Sequence, residues 1–93
     1  MAGGWLIGVM VEPGGVAAPV RHYYAVGCEE QAKAEWSAID LALQIGAVAS
    51  SPVGGLEPVQ AIRRLAPQRM SALGLAAGEV RALGWRHPRR WLS

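Results

Sequence analysis

The sequence predicts an α+β fold. It has a small, mostly antiparallel sheet of three to four strands, one long helix packed on a face, and a short helix near the C-terminus. The order is β-β-α-β-α, with a brief final strand. Three observations predict it. Two short runs of apolar, β-branched and aromatic residues, 5–11 and 20–26, precede one segment of helical periodicity, 29–45. Glycine and proline punctuate the chain between these segments. A length of 93 residues holds one domain, read as residues 1–84 followed by a basic-aromatic tail at 85–93.

The first run, Trp5-Leu6-Ile7-Gly8-Val9-Met10-Val11, stops at Glu12-Pro13-Gly14-Gly15. Both of its alternating faces are apolar, which predicts a central strand or one covered on both sides. Gly8 leaves room for a large neighbour. The second run, Val20-Arg21-His22-Tyr23-Tyr24-Ala25-Val26, places Val20, His22, Tyr24 and Val26 on one face. A connection of about eight residues suits an antiparallel pair.

Residues 29–45 carry Ala32, Trp36, Ile39 and Leu43 on a single helical stripe. The expectation is that Trp36 and Ile39 are buried on the sheet, so that Trp36→Ala costs about 3–5 kcal/mol. Glu29 and Glu30 are placed in the first turn, where negative charge suits the helix dipole. Glu29 and Lys33 are spaced as an i, i+4 pair, and Gly46 stands as the stop. Residues 47–57, rich in Ser, Pro and Gly, read as a loop. Residues 58–65 alternate as a third strand. Pro67 opens a short helix through Met70 and Leu73 to Gly74, and residues 79–83 form a last brief strand.

The composition is 52% hydrophobic and 17% charged, with a net charge of +2 and a mean hydropathy of +0.19. This excludes intrinsic disorder, which needs low hydrophobicity and high net charge. No apolar stretch is long enough for a transmembrane helix of about 20 residues, and no basic region precedes the first apolar run as a signal peptide requires. One cysteine, Cys28, rules out an internal disulfide. The expectation is a soluble protein of the reducing cytoplasm, with no membrane contact. The charge is asymmetric. Residues 1–59 hold two basic and six acidic side chains, while residues 60–93 hold seven arginines against Glu79.

The segments Trp5-Leu6-Ile7-Gly8-Val9, Arg21-His22-Tyr23-Tyr24-Ala25-Val26 and Leu73-Gly74-Leu75-Ala76-Ala77-Gly78-Glu79-Val80-Arg81 together resemble small uncharacterised bacterial α+β proteins. The resemblance covers most of the chain and implies that fold. It implies no activity, cofactor or catalytic residue. The tail after Arg81 and the loop after Gly46 lie outside it.

Candidate chemistry is sparse. Cys28 precedes a helix, an environment that can activate a thiol, but Glu29 and Glu30 oppose a thiolate, and only His22 and His87 are present as bases. His22, Cys28 and His87 lack the local spacing of a metal site. Gly14-Gly15 and Gly54-Gly55 do not match a phosphate-binding glycine loop. Glu29, Glu30 and Glu35 read as a solvated helix face. No catalytic residue, cofactor or metal is therefore assigned.

The sharpest feature is the tail, where Trp85, Arg86, His87, Arg89, Arg90 and Trp91 fall within seven positions. Tryptophan and arginine dominate binding hot spots. Trp85, Arg86, Arg89, Arg90 and Trp91 are accordingly the partner-binding candidates, against the alternative that Trp85 and Trp91 fold back onto the core of this small domain while the arginines stay in water. The reading is a small non-enzymatic protein that works by association, as a homodimer or as an accessory subunit with a protein partner. The alternative is a nucleic-acid module using the arginines of the C-terminal third. A third reading is a small enzyme with a Cys28/His22 site.

Overall fold

The computed structural model describes residues 3–12, 18–86, 88 and 89. The elements are β1 (Gly4–Glu12), β2 (Val20–Val26), α1 (Gln31–Ala42), β3 (Ala47–Val48), β4 (Val59–Leu65), α2 (Pro67–Leu73) and β5 (Val80–Gly84). They form one α+β domain built on an antiparallel sheet of five strands.

β1 is central, as its two apolar faces require. Trp5 lies opposite Val26 of β2 on one side and Arg64 of β4 on the other. β3 and β4 share that second side. β3 pairs with Val11 and Glu12, and β4 pairs with Gly4 through Val9. The ladder passes from one to the other across a single residue. Ala49 N–H donates to the Met10 carbonyl at 2.9 Å, and Met10 N–H donates to the Pro58 carbonyl at 2.8 Å. The intervening segment loops out of the sheet around a turn closed by paired bonds between Val53 and Leu56. The segment read as loop thus contributes a two-residue strand at its start. β5 pairs with the outer side of β2.

The sheet has two covered faces. Ile7, Val9, Val11, Tyr24 and Val26 meet α1 through Ala34, Ala38 and Ala42. On the opposite face Leu6, Ala25 and Leu65 pack with Met70 of α2 and with Leu75. Two β-bulges feed this second core. The register breaks between Leu6 and Ile7 and between Tyr23 and Tyr24 leave Ile62 and Leu83 as the extra residues. Both side chains pack against the Leu6 cluster. Further along the same face, a Cβ on Gly8 would collide with the Arg21 guanidinium. Arg21 lies across that glycine and donates to Gln60 Oε1 at 2.9 Å.

α2 starts with Pro67 and ends in the left-handed turn at Gly74 (φ 74°), where an L side chain would be strained. Arg81 closes this corner, donating to the carbonyls of Leu73 at 3.0 Å and Gly74 at 2.8 Å. There the orphan acceptors and the negative helix end favour a cation. Glu79 holds the guanidinium at 2.7 Å and accepts the Ala76 N–H at 2.9 Å.

α1 departs from the sequence reading in two ways. It runs over Gln31–Ala42, so Glu29 and Glu30 lie before its first turn. Lys33 pairs with Glu30 at 3.5 Å and Glu29 pairs with Arg64 at 3.2 Å, in place of the expected Glu29–Lys33 pair. More consequentially, Trp36 is 66% exposed, against the expectation of burial. The reason is room. The sheet face under α1 is already filled by Ile7, Val9, Val11, Tyr24 and Val26. A helix settles closest there through its smallest side chains, and Ala34, Ala38 and Ala42 are fully buried. Among the described residues no helix is long and apolar enough to cross a membrane.

Candidate association surface

The stripe Ala32, Trp36, Ile39, Leu43 exists as read, but it faces away from the sheet. At about 100° per residue, its mean direction lies about 130° round the helix from the Ala34–Ala38–Ala42 line. Ala32, Trp36 and Leu43 are exposed and Ile39 is half-buried. Leu43 caps the helix in a still-helical conformation and is 56% exposed, and Ile45 just beyond it is 54% exposed. Large apolar side chains grouped on one exposed face characterise a contact site, whereas scattered ones do not.

Charge flanks the stripe on one side, at Lys33 and Asp40. Lys33 makes its exposed pair with Glu30, while Asp40 has no ion-pair partner among the described residues. Beyond Asp40, Ser37 and Leu41 of α1, Gln44 in the turn that follows it and Val80 of β5 line an open groove of about 310 Å³. It is polar at its rim and has one carboxylate, with no second titratable side chain in its lining.

The tail candidates are described in part. Trp85 follows β5 and is 61% exposed, with the Arg86 guanidinium 5.5 Å from its ring centroid. Arg86 and Arg89 are exposed and Pro88 is buried. His87, Arg90 and Trp91 lie outside the described residues. Trp5, by contrast, is a structural indole. It donates from Nε1 to the Glu29 carbonyl at 2.9 Å and lies under Arg64 at 6.0 Å.

The remaining candidates are dispersed. His22 lies opposite Val9, four residues, or about 13 Å of extended chain, before the end of β2. Cys28 lies past that end, half-buried, with its thiol donating to the Glu30 carbonyl at 3.7 Å. Among the described residues no three His, Cys, Asp or Glu side chains gather. Among the described residues, two side-chain polar atoms are buried without a hydrogen bond, Arg21 Nε and the Tyr24 hydroxyl, and burial pushes the Tyr24 phenol above its ordinary pKa. Neither Arg21 nor Tyr24 lines the groove beside Asp40. Of the basic C-terminal third, Arg81 is engaged by α2 and Glu79, and Arg64 by Glu29.

Sequence reasoning missed that the helix stripe is a surface. The signal was present in Ala34, Ala38 and Ala42, an i, i+4, i+8 line of alanines. Opposite a strand face of Ile, Val and Tyr, such a line marks a close helix–sheet contact. Comparison of the chain with known protein families, with curated proteins and with solved structures finds no match.

Proposed function

We propose that this is a non-enzymatic protein that works by association, and that the outer face of α1 is its principal contact. One observation carries the reading: the stripe of Trp36, Ile39 and Leu43 faces outward, while the fully buried Ala34, Ala38 and Ala42, flanked by half-buried Leu41, hold the helix to the sheet. Exposing a tryptophan and a leucine on the same face leaves apolar area that a partner removes from water at roughly 25 cal/mol per Å². Trp85 with Arg86 forms a second exposed aromatic-basic patch, and Arg89, Arg90 and Trp91 extend that reading along the tail. The single thiol of Cys28 suits a reducing cytoplasm.

The nucleic-acid alternative rests on Arg63, Arg86, Arg89 and Arg90. Salt separates the two. An apolar contact through α1 holds its affinity as salt rises, whereas phosphate contacts lose affinity linearly in log salt. Copurification and direct binding at low and high salt, with Trp36→Ser and with Arg86, Arg89 and Arg90 changed together to Gln, is the test. Salt-insensitive association abolished by Trp36→Ser supports the reading. Salt-steep binding to nucleic acid that survives Trp36→Ser and is lost in the arginine variant contradicts it.

A further inference from the structure

The partner that this face fits best is a second copy of the same chain, an inference that rests on the association reading above. The stripe positions 32, 36, 39 and 43 are spaced four, three, four, the spacing of a helix–helix seam. The pairs 32/43 and 36/39 are centred on the same point of α1. A two-fold axis through that point lays the helix antiparallel on its copy. Ala32 then faces the partner's Leu43, small against large, and Trp36 faces the partner's Ile39. Such a contact is isologous and closes at two subunits.

The charges discriminate among the arrangements. Lys33 and Asp40 each follow a stripe residue by one position, so both lie on the same flank of the seam. Antiparallel packing about a two-fold brings that flank against itself. Lys33 therefore meets the partner's Asp40, and symmetry supplies the bridge twice. A parallel pairing instead sets Glu35 near the partner's Asp40, two like charges, which disfavours it. Asp40 is the unpaired charge of this flank among the described residues, and the Lys33–Glu30 pair is solvent-exposed (side chains 73% and 61% exposed). Exchanging that weak pair for an intermolecular one therefore costs little. We infer that the protein forms a homodimer through α1, packed antiparallel along Ala32, Trp36, Ile39 and Leu43, with reciprocal Lys33–Asp40 bridges.

Charge reversal tests this without touching the core. Lys33→Asp and Asp40→Lys are prepared separately and together, circular dichroism verifies folding, and sedimentation equilibrium at low ionic strength reports mass. Wild type is expected at twice the 9.8 kDa chain mass. Each single variant sets like charges against each other twice and dimerises about tenfold more weakly. The double variant recovers wild-type affinity. Mixing the two single variants yields a 1:1 heterodimer, because each lacks what the other supplies. Single variants that dimerise like wild type, or a mixture that fails to recover, overturn the seam. A wild type of 9.8 kDa at all concentrations overturns the homodimer. The association reading then stands only if a purified partner binds wild type and loses Trp36→Ser. If Trp36→Ser also leaves every association unchanged, both fall.

Discussion

Ala38 sits fully buried between the sheet and the axis of α1, and no larger side chain fits that position. Leucine there must push α1 away from Val9, Tyr24 and Val26, an overpacking that costs about 1–3 kcal/mol. Trp36, two residues away, has the opposite standing. Its ring is mostly in water, so Trp36→Ala changes stability by less than about 0.5 kcal/mol, as an exposed helix substitution does. Urea unfolding of the two variants at a concentration where each is monomeric reads the contrast. A larger loss for Trp36→Ala than for Ala38→Leu contradicts the orientation of α1. This inversion is also where the sequence was least legible. Hydropathy ranks Trp, Ile and Leu above Ala, and periodicity alone selects the stripe with the largest apolar residues. Only the bulk of the opposing strand residues reveals that the helix lies on its alanines. Gly8 was legible as a site of close approach, but not that Arg21 would be the neighbour, since two positions on adjacent strands become neighbours only through the register.

Among the elements, the corner of α2 and β5 is held by charge. The Glu79 carboxyl is held below its ordinary value of 4.5, first by the Ala76 N–H and then by the Arg81 guanidinium. A carboxyl depressed in the folded state contributes stability that is fully present above its unfolded value, and that stability is lost as pH falls through the lower folded value. Glu79→Gln is therefore expected to lower the melting midpoint at neutral pH and to flatten the loss of stability on acidification below about pH 4.5. An acid limb that Glu79→Gln leaves unchanged contradicts this account of the corner. The elements themselves were largely legible. The double-faced apolar run of β1 marked the centre of the sheet, and Pro67 with Gly74 bracketed α2. Pairing was less so. The Glu29–Lys33 spacing was correct for a helix, but the helix begins at Gln31, and Glu29 reaches Arg64 across the fold instead. The split edge of β3 and β4 was hidden because Ser, Pro and Gly residues look the same in a loop and in an excursion from a strand.

At the scale of the whole molecule, the second apolar face of the sheet is closed by α2 and by the two bulge residues Ile62 and Leu83. Among the described residues, the most exposed large apolar side chains are Trp36, Leu43 and Ile45 on and just past α1, and Trp85. The basic third of the chain is partly consumed by the fold, through Arg81 and Arg64, which no reading of net charge discloses. The central claim is that α1 holds the fold with one face and the partner with the other. Thermal unfolding across a hundredfold range of protein concentration tests it most directly, for wild type and for Trp36→Ser. Association of folded chains raises the midpoint by mass action. The wild-type midpoint should climb with concentration, while Trp36→Ser should melt cooperatively at a midpoint independent of concentration. A flat wild-type midpoint, or a Trp36→Ser chain that no longer unfolds cooperatively, would contradict it.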